Sequence, residues 1–214
     1  MNSDLPVLSV AQMREADRYT IEKGTPSKEL MRRAAQGVYD AYSGWKDHAV
    51  LIVCGSGNNA GDGYALAEIL KDQGMEPAVY CLYERFSEDG AYYFNRCLEK
   101  GVRILRHGQD SVDFGAYGVL IDCMLGTGFS GMPREPIAGA IRAINEARKN
   151  HGVYVIAVDI NSGMNGDTGE SELAVKSDLT VSIGYPKTGF FTEAAAGMIL
   201  KLVNAEIGIE LPQA

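Results

Sequence analysis

The stretch VLIVCGSGNNAGDGYALAEIL, residues 50–70, carries an apolar run into a glycine-rich bend and out again into a helix-forming segment. An unbroken run such as VLIVC predicts a strand buried on both faces, which is the habit of a parallel sheet. Gly55, Gly57 and Ala60 then satisfy the spacing G-x-G-x-x-G/A of dinucleotide-binding turns, and Glu84, after the next apolar run, stands where a ribose ligand belongs. Three small residues at that spacing are common, so a bare tight turn fits them too. A pyrophosphate cradle relies on backbone amides, yet this bend adds the side-chain oxygens of Asn58, Asn59 and Asp62. Asp62 also has a plain reading, as an acid favoured by the dipole of a helix start.

Working outward, the same alternation of apolar runs and amphipathic segments continues. Strands are predicted at AVLIVCG, EPAVYCLY, VRIL, GVLIDCML, VYVIAVDI and DLTVSIGY, and a last element within GMILKLVNAEIGIE. Helices are predicted at GYALAEILKDQG, SEDGAYYFNRCLEKG and PIAGAIRAINEARKNHG. Two further helices precede any strand. Ser9 with Gln12 has capping-box spacing, and Ser27 reads as the N-cap of TPSKELMRRAAQGVYDAY. Those two helices read as a packing layer or an oligomer contact. The fold class is therefore α/β: a Rossmann-like, doubly wound, mostly parallel sheet with helices on both faces and two N-terminal helices, in one domain over residues 1–214.

The formal net charge of −8 excludes a protein that grips nucleic acid by its phosphates, while leaving room for a small anion held by backbone amides. Cys54, Cys81, Cys97 and Cys123 form no C-x-x-C pair and mostly sit in strand-like runs, so buried free thiols in a reducing compartment are expected. His48, His107 and His151 stand apart near turns and do not make a metal set. No apolar run reaches membrane-spanning length and MNSDLPVLSV lacks a signal pattern, which predicts a cytoplasmic protein without a membrane partner.

In open α/β sheets ligands gather beyond the carboxyl ends of the strands. Three loops there combine glycines with carboxylates or carboxamides: GSGNNAGDG, DCMLGTGFSGMP and VDINSGMNGDTGE. Asp159, at a strand end, is a candidate general base, or else a loop-organising acid. Asp122, flanked by VLI and CML, is a buried charge that needs a partner, and no Lys or Arg adjoins it in sequence. With Asn59, Asp122 and Ser162 as oxygen donors, the partner would be a hard cation, and so few carboxylates favour a monovalent one. Lys187, after a further strand, is either an electrostatic contact for the ligand or an exposed turn lysine.

Over nearly its whole length the chain resembles the NAD(P)H-hydrate epimerases, the YjeF N-terminal domain family. The resemblance rests on QMREADRYTIEKGTPSKELMRRAA, GSGNNAGDGYALAEIL, DCMLGTGFSG, VIAVDINSGMNGDTG and GYPKTG, in that order. It implies a Rossmann-like domain that interconverts the R and S forms of hydrated NADH and NADPH (NADHX and NADPHX), one potassium ion per subunit, and a homodimer. By motif, the hydrate would be bound by Asn58, Asn59, Ala60, Gly61 and Asp62, by Gly126, Thr127, Gly128, Phe129, Ser130, Gly131 and Met132, and by Asp159. The potassium ligands would be Asn59, Asp122 and Ser162. Asp159 and Lys187 would be the catalytic pair, Asp159 as general base and acid.

Three positions depart from the family's pattern. Ala60 replaces a common Gly, DINSG replaces the frequent DIPSG, which should loosen that turn, and Arg32 stands where an acid is frequent. The dehydratase domain often fused to this family is not in the sequence, so the ATP- or ADP-dependent repair step is expected of a separate NAD(P)H-hydrate dehydratase. Two rival readings are an NAD(P)-dependent oxidoreductase and a non-catalytic nucleotide-binding or scaffold module.

Overall fold

The structure is a computed structural model, and it describes residues 5–212. Seven strands form one sheet: β1 (Val50–Cys54), β2 (Ala78–Cys81), β3 (Arg103–Arg106), β4 (Val119–Cys123), β5 (Tyr154–Val158), β6 (Leu179–Ile183) and β7 (Leu202–Ala205). Their order is β3-β2-β1-β4-β5-β6-β7, and every pairing is parallel. The helices are α1 (Val10–Glu22), α2 (Ser27–Ala41), α3 (Asn58–Asp72), α4 (Glu88–Glu99) and α5 (Ile137–His151).

Every residue of β1, β4 and β6 is buried, as strands covered on both sides require; β1 is apolar throughout, while β4 and β6 also bury the polar Asp122, Thr180 and Ser182. The covering is uneven. Val50, Ile52 and Cys54 pack with apolar residues of α1, α2, α3 and α4, whereas Leu51 and Val53 pack with α5 and the Val112–Tyr117 segment. Helix signals in the sequence hold well. Ser9 and Gln12 form the full capping box of α1 as their spacing predicts; the structure adds a cap by Ser87 on α4 and an α5 end on Gly152 at φ 67°. Ser27 differs: it is the first residue of α2, and Pro26 takes the N-cap position without a side-chain bond. The bend after β1 is also shorter than its composition suggests, because α3 begins at Asn58 and takes in NNAGD as its first turns.

The chain runs outward from β1 through β2 to β3, returns to the other side of β1, and proceeds through β4 to β7. The reversal opens a crevice between β1 and β4, where the two backbones nearly touch. Gly55 N donates to Cys123 O at 3.2 Å, and a Cβ on Gly55 would lie 2.0 Å from Met124 O. Only glycine tolerates that approach.

The turn after β5 is held more firmly than DINSG suggests. Asn161 is fully buried, and its amide donates to Val175 O (2.9 Å), Ser177 Oγ (3.0 Å) and Met198 O (3.2 Å), while its carbonyl accepts from Thr180 Oγ1 at 2.6 Å. An asparagine here tightens the turn, because its amide ties it to the Val175–Ser177 segment and to Met198, which a proline could not reach. Asn161→Ala is expected to cost roughly 2–4 kcal/mol by leaving the Val175 carbonyl without its donor and breaking the buried network with Ser177 and Thr180; a lower urea midpoint at unchanged slope checks it.

Candidate active site

The three glycine-rich loops leave β1, β4 and β5, which are neighbours in the sheet, so they meet on one rim. Above that rim lies a cavity of about 610 Å³. Its floor includes Ser56 to Asn59, Asp62, Met124 to Phe129 and Asp159, and its other wall comes from α1 and α2 through Met13, Arg14, Asp17, Ile21, Ser27, Leu30, Met31 and Ala34. The two N-terminal helices are thus part of the site, not merely a packing layer. The signal was present in the sequence: Asp17 stands seven residues after Val10 and four after Met13, on the inward face of α1.

Asp159 has φ 67°, the one positive value among the described residues other than glycine. Its amide still extends the ladder, donating to Val181 O at 2.8 Å, and Ile160 N turns straight back to Val158 O at 2.8 Å. That abrupt exit from β5 rotates the carboxylate toward the cavity. A left-handed aspartate costs free energy, and such conformations cluster at functional sites. Lys187 lies behind it, completely buried, and its ammonium donates to Asp159 Oδ1, to Ile183 O at 2.9 Å and to Ser182 Oγ at 3.3 Å. Ile183 N also donates to Asp159 Oδ1, at 3.2 Å. Lys187 therefore reaches the cavity only through Asp159 and does not line it.

Asp17 and Asp62 complete an acidic group around this pair. Burial first, then the charges of Asp159 and Asp17, push the Asp62 carboxyl well above its usual range, against the pull of Lys187. Burial and Asp159 likewise raise Asp17 from its ordinary 3.8 to about 6, again opposed by Lys187. Three carboxylates thus gather around one buried ammonium, and for Asp17 and Asp62 burial favours the protonated form. On the cavity wall the cation is Arg14, whose Nη2 lies 3.0 Å from where a Cβ on Gly128 would sit. The α3 N-terminus, with Asn58 and Asn59, faces the same space and offers backbone amides to an anion.

Beside the cavity, Asn59, Asp122 and Ser162 are brought together around Leu125. Asp122 is fully buried and accepts from Ser162 N (2.7 Å), Ser162 Oγ (2.5 Å) and Met124 N (3.2 Å). Ser162 Oγ accepts from Leu125 N at 2.8 Å, and Asn59 Nδ2 donates to Leu125 O at 2.7 Å. Asn59 Oδ1 is buried with no hydrogen-bond partner among the described residues. Among those residues, too, no Lys or Arg pairs with Asp122, and no cluster of three or more His, Cys, Asp or Glu could hold a metal. An orphaned carboxamide oxygen next to a buried carboxylate and a hydroxyl fits a hard cation of low charge better than a transition metal.

Other candidates from the sequence fall further out. Ala60 and Gly61 are buried in α3 behind the wall, and Ser130, Gly131 and Met132 lie beyond it, Met132 exposed. Glu84 turns away from the cavity and pairs with Arg106 at 3.4 Å, so it is not placed as a ribose contact. All four cysteines are free and buried, and no described helix is long and apolar enough to cross a membrane.

Residues 27–189 match the family model of the YjeF-related protein N-terminus, about three-quarters of the chain. The chain belongs to that family. An NAD(P)H-hydrate epimerase of Oenococcus oeni is 33% identical over 96% of this chain and 98% of its own length. One from Lentilactobacillus buchneri is 31% identical over 94% of each. A bifunctional NAD(P)H-hydrate repair enzyme of Coxiella burnetii is 35% identical over 92% of this chain, of which the chain covers 40%. The first curated relatives are bifunctional enzymes of this kind, and the chain spans about two-fifths of their length. The crystal structure of yeast ynu0, YNL200c superposes with a TM-score of 0.74 at 24% identity, over 86% of this chain and 83% of the yeast chain, and shares the fold.

The raised Asp17 carboxyl has a consequence for stability. The folded protein holds this proton more tightly than the unfolded chain, so the associated stability is complete below 3.8 and is lost as pH rises through about 6. Asp17→Asn should therefore melt higher than the parent in neutral and alkaline buffer, with the difference vanishing in strong acid; calorimetry across pH measures it.

Proposed function

We propose that the chain is an NAD(P)H-hydrate epimerase, interconverting the R and S forms of hydrated NADH and NADPH at nicotinamide C6. The observation that carries this reading is Asp159, held in a left-handed conformation by a buried lysine and turned into a cavity whose rim is a helix N-terminus. The epimerases that match the chain over most of its length support the choice of substrate.

C6 of the hydrated nicotinamide is a hemiaminal carbon, so inversion needs proton transfer to and from oxygen and no redox step. Asp159 is the general acid and base. Lys187 orients it, through the hydrogen bond from its buried ammonium to Asp159 Oδ1. The α3 N-terminus, Arg14 and the loop at Gly126 to Phe129 bind the diphosphate and ribose. Among the cavity's lining residues there is no His, Tyr or Cys, so the groups available for proton transfer are carboxylates.

Potassium is the proposed cofactor, one ion per subunit, held by Asn59, Asp122 and Ser162. When bound it balances the Asp122 charge and stiffens the loops after β4 and β5. The proposed assembly is a homodimer in the cytoplasm. Its proposed functional partner is an NAD(P)H-hydrate dehydratase, the second half of a repair sequence.

The test is purified protein given an unequal mixture of hydrate epimers, in potassium and in sodium buffer, with chromatography of both species. Relaxation of the ratio, faster in potassium, is expected; a ratio that drifts only at the uncatalysed rate rejects the reading. Asp159→Asn should slow relaxation by about 100-fold or more while the protein stays folded. Potassium should also raise the melting temperature above that in sodium, and Asn59→Ala should abolish the difference.

A further inference from the structure

We propose that Asp17 is a second proton-transferring residue of this site, serving the C6 oxygen from the α1 side of the bound hydrate while Asp159 serves it from the sheet rim. The inference rests on the epimerase reading above and adds both a residue and a route.

Inversion by exchange of water has two balanced steps. An acid protonates the C6 hydroxyl, the C–O bond breaks with its electron pair leaving on water, and the N1 lone pair closes an N1=C6 iminium. Water then adds to the other face, the π pair returns to N1, and a base removes one proton from the new oxonium. The acid has lost a proton, the base has gained one, and nothing is oxidised or reduced. A carboxylate fixed on one side of the ring cannot serve both faces, and Asp159 is fixed by Lys187. A second group from another element is required.

Asp17 meets that requirement. It lines the same cavity, half-buried, and makes no hydrogen bond among the described residues. Its helix is fastened at both ends. Leu8, just before α1, is bonded on either side of Lys187, through Leu8 N to Pro186 O (2.9 Å) and Thr188 N to Leu8 O (3.0 Å). Val10 N donates to Asp167 Oδ1 at 2.7 Å, and Thr20 Oγ1 accepts from Glu210 N at 2.9 Å. The segment that supplies Lys187 to Asp159 thus also fixes the start of the helix that carries Asp17. A merely structural wall would be better served by an apolar residue, since an unpaired half-buried carboxylate costs stability. The charged groups facing Asp17 are Asp62 from α3, Asp159 from the sheet rim, Lys187 behind it and Arg14 on its own helix. The acidic excess is complementary to an iminium cation, and fixed charge aimed at developing charge is a large source of rate enhancement.

The experiment compares the parent with Asp17→Asn and Asp17→Ala for epimerisation rate against pH, hydrate affinity and melting temperature. Expected is a rate lower by about 100-fold or more, with loss of the acidic limb of the parent's pH profile, hydrate affinity little changed, and melting no lower than the parent's. A rate within about threefold of the parent and the same pH profile overturn the proposal. Should neither variant fold, the parent in heavy-oxygen water decides: solvent oxygen entering C6 with each inversion supports the route, and inversion without it overturns it. A parent that does not epimerise removes the enzyme reading itself, whereas an active parent with an equally active Asp17→Asn removes only this one.

Discussion

The carboxylate of Asp122 organises this rim. It sits at the fourth position of β4, fully buried, and accepts from Ser162 N and Oγ in the next loop and from Met124 N in its own. Through Ser162 Oγ and Leu125 the tie extends to Asn59 on α3. Loops leaving three strands are thereby locked to one another at the crevice between β1 and β4. Burial raises the Asp122 carboxyl to about 6 despite those three donors. Asn59 Oδ1, buried and without a partner among the described residues, is the oxygen on which the proposed potassium site rests.

The acids on the cavity wall follow a different logic. Asp62 and Asp17 are held above their ordinary range by burial and by the charge of Asp159, with Lys187 opposing. Such a cluster lowers the stability of the fold, and proteins retain such costs chiefly where chemistry needs them. Asp159 combines both themes, since its left-handed backbone is sustained by the buried ammonium and the Ile183 amide. Rigid backbone thus presents titratable groups to a space that the α3 N-terminus and Arg14 make hospitable to an anion.

Much of this was legible in the chain. Apolar runs such as VLIVC and YVIAV announce buried parallel strands because both faces must be covered, and the capping box at Ser9 acts through bonds only three residues long. The ordered set of glycine-rich motifs identified the family, and Asn59, Asp122 and Ser162 stood out as oxygen donors on the loops that leave the strand ends. The sequence was misleading where a residue's role depends on distant partners. Asn161 reads as a looser substitute for proline, yet it binds Val175, Ser177 and Met198. Glu84 reads as a ribose contact, yet an ion pair with Arg106 turns it away.

What the sequence by itself determined is the set of elements, their parallel character and the chemistry gathered at strand ends, because each is set by local periodicity and short-range hydrogen bonding. Only the tertiary structure decided that α1 and α2 close over the rim, that Lys187 stands behind Asp159 rather than in solvent, and that Asp17 joins the acids. Those placements depend on how helices before the first strand pack on the edge of a sheet formed much later in the chain, and no local pattern encodes that long-range geometry.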